Sequence, residues 1–209
     1  MPNPALRIGL FGGTFNPPHT THIALALAAQ AQLGLDRVDL MPAGSPWQKA
    51  GSTMPSAAHR QAMCQAAIGA QTNAKLGIEA FETHSNTKSY SVNTLRALYA
   101  QHPSTRYTFI LGADQVNRFD TWHEWRALLP LCDWAVVARN QQAVSWPAEV
   151  AGLMQALNIQ PSVITFAASS LSSSQIREHL TAGVRPESLS PELIPLAVAQ
   201  YIKAHSLYS

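Results

Sequence analysis

Charged side chains are scarce in this sequence. Asp, Glu, Lys and Arg make up 12% of its 209 residues, about half of the usual share. The formal net charge is only +2, and no concentrated basic stripe marks a nucleic-acid-binding surface. We therefore expect no nucleic-acid partner, although so small a charge still suits a site that binds an anion. Because 46% of the residues are apolar, intrinsic disorder is excluded as a class.

Cysteine and long apolar runs are also in short supply. Cys64 and Cys132 stand far apart with no CxxC spacing, which predicts two free thiols in a reducing compartment. No purely apolar run approaches the roughly 18 residues that span a bilayer. No signal peptide, with a charged part and then an apolar part, is predicted before the strand-like LRIGLFGG segment. We expect a cytoplasmic protein without a membrane partner.

Short apolar segments alternate with helical patterns along the chain. Several of the apolar segments are continuous, as in parallel strands that are covered on both faces. The strands are predicted at 6–11, 37–42, 74–80, 106–112, 133–138 and 162–167, and the helices at 23–33, 56–68, 92–101, 122–132 and 147–157. This order predicts an α/β fold with a Rossmann-like, doubly wound parallel sheet and flanking helices. We expect a single domain over residues 1–209, with a C-terminal helical segment.

The segment GGTFNPPHTTH, residues 12–22, directly follows the first predicted strand. Gly12 and Gly13 allow the backbone to approach a ligand closely, and the N-terminus of the next helix favours an anion. His19 and His22 share one helical face if both are helical. The pattern leaves three interpretations of the two histidines open: ordinary residues of the first helical turn, a pair of metal ligands that lacks a third ligand, or phosphate-binding groups. The spacing matches neither G-x-G-x-x-G nor a P-loop, so the pattern alone indicates a generic phosphate site.

Four ordered segments resemble one family. GGTFNPPHTTH is similar to the GGTF(D/N)PxHxGH signature of the nucleotidyltransferase superfamily with an HxGH motif, and SSLSSSQIREHL (169–180) resembles its second signature. FILGADQVNRFDTWHEWRALL (109–129) and KSYSVNTLRAL (88–98) resemble segments of the bacterial nicotinate-nucleotide adenylyltransferases. The resemblance implies adenylyl transfer from ATP to nicotinate mononucleotide, which gives deamido-NAD and pyrophosphate without a covalent intermediate. It also implies Mg²⁺ held mainly through ATP, no side-chain metal site, and a monomer or homodimer.

The resemblance assigns roles to individual residues. The implied catalytic residues are His19, His22, Lys49 and Arg177. The implied ATP-binding residues are Gly12, Gly13, Thr14, Phe15, Gly112, Asp114, Ser172 and Ser173. The implied residues for nicotinate mononucleotide are Asn16, Ser91 and Trp122, with Trp122 against the pyridine ring.

Simpler interpretations of the same residues stay open. Ser172 fits a capping box with Gln175, three residues later, as well as a phosphate contact. Asp114 is a helix cap or a group that faces the ligand. Trp122, in a predicted helix, is a core residue or a wall of the pyridine site. Lys49, in the long irregular stretch 43–56, is a solvated surface residue or a phosphate contact.

Alternative functions also remain. One is adenylyl transfer to another phosphate acceptor, such as phosphopantetheine or nicotinamide mononucleotide. The other is nucleotide binding without catalysis, because Thr21 stands where the HxGH motif has glycine. Pyrophosphate release separates an enzyme from a binding protein, and the acceptor that supports this release separates the two kinds of enzyme.

Overall fold

Continuously apolar segments form a parallel sheet, as the sequence predicts. The computed structural model describes residues 5–44, 54–69, 75–84, 88–139, 144–167 and 171–208. The strands are β1 (Arg7–Gly13), β2 (Arg37–Pro42), β3 (Leu76–Ile78), β4 (Arg106–Gly112), β5 (Asp133–Arg139) and β6 (Ser162–Phe166). Every pairing is parallel, in the order β3-β2-β1-β4-β5-β6. The order reverses between β1 and β4, which places a crevice at their carboxyl ends.

Helices connect the strands and cover both faces of the sheet. They are α1 (Thr20–Leu33), α2 (Ala57–Gly69), α3 (Phe81–His84), α4 (Ser91–Gln101), α5 (Ala113–Val116), α6 (Trp125–Leu128), α7 (Ala148–Ala156), α8 (Ser173–Thr181) and α9 (Leu196–Ala204). Short 3₁₀ turns lie at Phe119–Thr121, Leu129–Leu131 and Pro186–Leu189. The predicted end of the first helix at residue 33 is confirmed, because Gly34 takes the left-handed conformation that ends α1.

The sheet separates two apolar cores. Side chains of α1, α2, α8 and α9 fill one core, and those of α4, α6 and α7 fill the other. The predicted doubly wound architecture is therefore confirmed. Burial raises the pKa of both Cys64 and Cys132 far above the usual range of a thiol, so neither side chain is a thiolate at neutral pH.

The prediction of one continuous helix over 122–132 is wrong. Only Trp125–Leu128 is α-helical, between 3₁₀ turns at Phe119–Thr121 and Leu129–Leu131. Glu124 has a φ of 49°, a left-handed conformation that a right-handed helix cannot contain. Trp122 therefore lies outside the helix that contains Trp125. Across the residues described, no helix combines the length and the apolar character needed to cross a bilayer.

Candidate active site

A cleft opens at the carboxyl ends of β1 and β4, where the strand order reverses. Its volume is about 380 Å³. The loop after β1, the start of α8, and Gly112, Asp114 and Trp122 all contribute to its lining. This is the position at which open parallel sheets bind their ligands.

The loop after β1 depends on a close approach between Gly13 and Phe15. A Cβ on Gly13 would lie 3.0–3.3 Å from the Phe15 ring, so a side chain at Gly13 would displace this ring. Phe15 is 3% exposed and has a φ of 49°, a conformation that costs energy in a residue with a side chain. Its ring packs edge-on against Phe11 and His22. Gly12, Gly13, Thr14 and Phe15 all line the cleft.

Arg60 holds this loop from behind. The side chain is 1% exposed, and its guanidinium donates to the carbonyls of Thr14 at 2.9 Å, Gly44 at 2.8 Å and Pro55 at 3.2 Å. Burial lowers the pKa of Arg60 from its ordinary value, but arginine stays charged in proteins. One cation therefore joins the β1 loop to the chain that follows β2.

Ser172 caps the helix that faces this loop. Its hydroxyl accepts from the Gln175 backbone N–H at 3.3 Å, and the Gln175 side chain accepts from the Ser172 backbone N–H at 2.9 Å. The predicted capping box is therefore confirmed. Ser173 and Arg177 belong to the lining of the cleft, next to the N-terminus of α8, which favours anions.

Two side chains of α8 bind backbone carbonyls of the β1 loop. Ser173 donates to the carbonyl of Pro17 at 2.9 Å. Arg177 donates from Nη1 to the carbonyl of Asn16 at 2.7 Å and from Nη2 to the Ser174 hydroxyl at 3.1 Å. Because a guanidinium carries five N–H donors, Arg177 retains the capacity to bind an anion while it holds the loop.

His19 and His22 form a stacked pair at the start of α1. Their ring centroids are 3.6 Å apart, and the backbone N–H of His19 donates to His22 Nδ1 at 3.1 Å. An accepting Nδ1 places the proton of a neutral His22 ring on Nε2, which then donates. His22 lines the cleft, whereas His19 is 5% exposed, does not belong to the lining and is the N-cap of α1. Stacked rings do not converge their in-plane lone pairs on one metal ion.

Gly112 and Asp114 lie at the end of β4 and the start of the next helix. Gly112 caps the short helix α5, and Asp114 belongs to its first turn. Gly112 and Asp114 both line the cleft, and Gln115 donates to Asp114 Oδ2 at 3.0 Å. Asp114 is therefore not the cap of α5, and its carboxylate lies at the cleft.

Trp122 forms an aromatic part of the cleft wall. Its ring stacks on Phe119, with 5.3 Å between centroids, and packs edge-on against Phe109 at 5.8 Å. Its indole Nε1 is buried and has no hydrogen-bond partner among the residues described. Trp122 is thus both a core residue and a lining residue, and its N–H can donate to a ligand.

The comparisons with known proteins agree with this geometry. Residues 10–179 match the family described as cytidylyltransferase-like. A probable nicotinate-nucleotide adenylyltransferase of Methylibium petroleiphilum is 38% identical over 207 residues, which cover 99% of this chain and 94% of that protein. A probable nicotinate-nucleotide adenylyltransferase of Bordetella petrii is 39% identical over 202 residues, which cover 97% of this chain and 98% of that protein. The chain belongs to the nicotinate-nucleotide adenylyltransferase family.

A solved structure supports the fold assignment. The Plasmodium falciparum nicotinic acid mononucleotide adenylyltransferase complexed with NaAD has a TM-score of 0.75 to this chain. The match covers 97% of each chain at 18% sequence identity. The family fold therefore extends over nearly the whole length of the sequence.

The residues that the family resemblance singled out lie mostly around one cleft. Of the implied set, the lining includes Gly12, Gly13, Thr14, Phe15, Asn16, His22, Ser91, Gly112, Asp114, Trp122, Ser173 and Arg177. His19 and Ser172 do not belong to this lining and instead form the caps of α1 and α8. Lys49 lies outside the residues that the structure describes. Its role at this site stays a prediction.

A buried carboxyl network beside the cleft was not predicted from the sequence. Glu82 is 5% exposed, lines the cleft and accepts from the Thr94 hydroxyl at 3.1 Å. Burial raises the pKa of Glu82 above its ordinary value, against the opposing effect of hydrogen bonds from Ser89 and Thr94. A Cβ on Gly44 would lie 1.9 Å from the Glu82 carbonyl oxygen, so Gly44 must lack a side chain here.

Tyr90 and His123 are two further lining residues that sequence reasoning missed. Their rings stack with 4.0 Å between centroids. His123 Nε2 lies 3.3 Å from Oε1 of Glu124, and Oε2 of the same carboxylate accepts from Arg96 at 2.8 Å. These contacts hold the turn before α6 against the start of α4. The signal for His123 was its place beside Trp122 in the WHEW segment.

Proposed function

We propose that this chain transfers the adenylyl group of ATP to nicotinate mononucleotide, forming deamido-NAD and releasing pyrophosphate. The observation that carries the proposal is a cleft whose lining combines the glycine loop and the start of α8 with the aromatic Trp122. The Methylibium and Bordetella relatives, 38–39% identical, are named for this activity. The loop and α8 suit phosphates, and the aromatic wall suits a pyridine ring.

The proposed reaction is a direct displacement at the α-phosphorus of ATP. A 5′-phosphate oxygen of the mononucleotide forms the new P–O bond, and the bond to the β-phosphate bridging oxygen breaks. The electron pair of that bond leaves with pyrophosphate. Because the attacking phosphate is already ionised, the step requires no general base. Catalysis then consists of positioning and charge stabilisation.

The residues around the cleft supply those two effects. We assign His22 Nε2–H as a donor to a phosphate oxygen, because the His19 backbone N–H already occupies Nδ1. His19 supports this ring through the stack. Arg177 and the Ser173 hydroxyl contribute positive charge and a hydrogen bond from α8. Lys49 is assigned to the leaving pyrophosphate from the resemblance alone.

The lining fits a magnesium-nucleotide. The Asp114 carboxylate, which lies at the cleft, is a hard oxygen donor of the kind that Mg²⁺ accepts. We propose that the ion would be held mainly by ATP and water, and that Asp114 is the lining carboxylate that would contact this hydrated ion. When bound, Mg²⁺ supplies charge neutralisation on the triphosphate.

The proposed partners are small molecules. The low net charge of +2 supports the absence of a nucleic-acid partner, and we propose no membrane partner. The protein would act in the cytoplasm, where ATP is available, as a monomer or a homodimer.

An acceptor comparison tests the proposed function. Pyrophosphate release from ATP and Mg²⁺ is measured with nicotinate mononucleotide, nicotinamide mononucleotide or phosphopantetheine. We expect the highest kcat/KM with nicotinate mononucleotide. A clear preference for another acceptor would refute the substrate assignment. ATP binding without any pyrophosphate release would instead identify a non-catalytic nucleotide-binding protein.

Two matched histidine variants locate the activity in the cleft. His22→Ala removes a lining donor, and kcat should fall by roughly 10²–10³. His59→Ala is the control, because His59 lies on α2 and its Nδ1 contacts the Tyr201 hydroxyl at 2.9 Å. Equal activity in the two variants would contradict the assignment of His22.

A further inference from the structure

The end of the chain contacts the glycine loop of the cleft. The Tyr208 hydroxyl donates to Oδ1 of Asn16 at 2.8 Å, across 192 positions of sequence. Asn16 is 7% exposed and lines the cleft. A second contact lies close by, because the backbone N–H of Thr20 donates to the carbonyl of Leu193 at 3.0 Å. The C-terminal segment therefore holds both the loop and the start of α1.

The surroundings of Tyr208 hold its hydroxyl against Asn16. The ring packs against the core that contains α2 and α9, and the hydroxyl lies 4.0 Å from Met63 Sδ. Burial raises the pKa of the Tyr208 phenol, although the nearby charges of Arg177 and Arg60 act in the opposite direction. The hydroxyl therefore keeps its proton at neutral pH. Tyr208 also has a φ of 67°, a disfavoured conformation that its contacts maintain.

In the structure, the Asn16 side chain faces the Tyr208 hydroxyl with its amide oxygen. An amide has one accepting oxygen and one NH₂ group with two donors. Oδ1 accepts from Tyr208, and the backbone carbonyl of Asn16 accepts from Arg177 at 2.7 Å. The NH₂ group is then the part of the side chain left to bind a ligand. The reversed amide would present an oxygen, which repels a phosphate.

We propose that Tyr208 is a positioning residue of the cleft, whose hydroxyl orients the Asn16 amide so that its NH₂ group donates to a nucleotide phosphate. This inference rests on the proposed function, and it adds the C-terminal end of the chain to the nucleotide site. The phosphate belongs either to ATP or to the mononucleotide, and separate KM values distinguish these two sources.

The test compares two tyrosine hydroxyls of the same region. Tyr208→Phe removes the hydroxyl that contacts Asn16, whereas Tyr201→Phe removes one that contacts His59 on α2. In the full-length enzyme, Tyr208→Phe should raise the KM for ATP or for nicotinate mononucleotide by about tenfold. Tyr201→Phe should leave both KM values unchanged. Kinetics are measured well below the Tm of each variant, so that a loss of stability does not enter the comparison.

A double-mutant cycle shows whether the effect passes through Asn16. In the Asn16→Ala background, Tyr208→Phe should change kcat/KM by less than about twofold, because the amide that it orients is gone. Equal KM values for wild type and Tyr208→Phe, or fully additive losses in the double variant, would overturn the inference. Absence of adenylyl transfer in the wild type would refute the proposed function instead, so the two failures are distinguishable.

Discussion

Arg60→Met removes the buried guanidinium that joins three backbone segments. Arg60 donates to the carbonyls of Thr14, Gly44 and Pro55 at 2.8–3.2 Å. A hydrogen bond to a charged group contributes roughly 1.5–3 kcal/mol, and each buried acceptor left unpaired costs about 1–3 kcal/mol. Methionine retains much of the apolar stem. The variant therefore mainly measures the loss of the charged donors.

The cost of burying the Arg60 charge reduces the loss in the free energy of unfolding that is expected from its three hydrogen bonds. Taking a cation out of water costs several kcal/mol, and the lowered pKa of Arg60 reports that burial. We therefore expect a net loss of about 3 kcal/mol in the free energy of unfolding, rather than the full sum over three bonds. Because Thr14 lines the cleft, kcat/KM should also fall by at least about tenfold.

Urea denaturation and steady-state kinetics test both numbers, with two comparison variants. Arg7→Met is the matched control, because Arg7 is exposed and donates to the carbonyls of Leu33 and Gly34. Its loss should stay below about 1 kcal/mol. Arg60→Lys keeps the charge but lacks the forked donor geometry, so it should restore only part of the stability. An Arg60→Met variant that unfolds like Arg7→Met and keeps wild-type kinetics would contradict the assigned role of the buried guanidinium.

Three further predictions address the rest of the cleft. Gly44→Ala should lower the free energy of unfolding measured in urea by roughly 1–3 kcal/mol, because its Cβ would lie 1.9 Å from the Glu82 carbonyl oxygen. The control Gly152→Ala should leave this free energy unchanged or raise it, because Gly152 lies in α7 with open space around it. Because Glu82 has a raised pKa, its carboxyl binds a proton more tightly in the folded than in the unfolded state, and the fold loses stability as pH rises above the ordinary pKa of a glutamate, about 4.3. The stability of Glu82→Gln relative to wild type should therefore increase as pH rises above that value, and a pH-independent difference would contradict this. Trp122→Phe should raise the KM for the mononucleotide about threefold to tenfold. The control Trp146→Phe should leave this KM unchanged, because Trp146 lies outside the lining and packs on Phe119. Equal KM values for wild type and Trp122→Phe would exclude the Trp122 N–H as a donor.

Local patterns were sufficient to predict the sheet. β2 and β4 have the predicted bounds of 37–42 and 106–112, because buried parallel strands require continuous apolar runs. The prediction of a helix over 122–132 was wrong, because the spacing of apolar residues carries no information about a tertiary contact of Glu124. The left-handed Glu124 is paired with Arg96 on α4, a contact that forms only in the folded chain.

Long-range contacts limited the prediction of the site. A contact between Tyr208 and Asn16 has no signal in either local sequence. The local sequence does contain a signal that Arg60 is buried. Arg60 occupies the first position of a buried series on α2, which continues with Met63, Cys64 and Ala67. Charge on an otherwise apolar helical face indicates a buried, fully hydrogen-bonded group. The stacking of His19 on His22 likewise depends on the extended backbone of His19, which a helical wheel does not represent.

The fate of the α-phosphorus of ATP distinguishes adenylyl transfer from nucleotide binding and from hydrolysis. Wild-type protein is incubated with Mg²⁺, nicotinate mononucleotide and ATP that carries a label on the α-phosphorus. Direct adenylyl transfer predicts that the label enters deamido-NAD, with one pyrophosphate released for each dinucleotide formed. Label recovered only as ATP, or as free AMP without dinucleotide, would contradict the account.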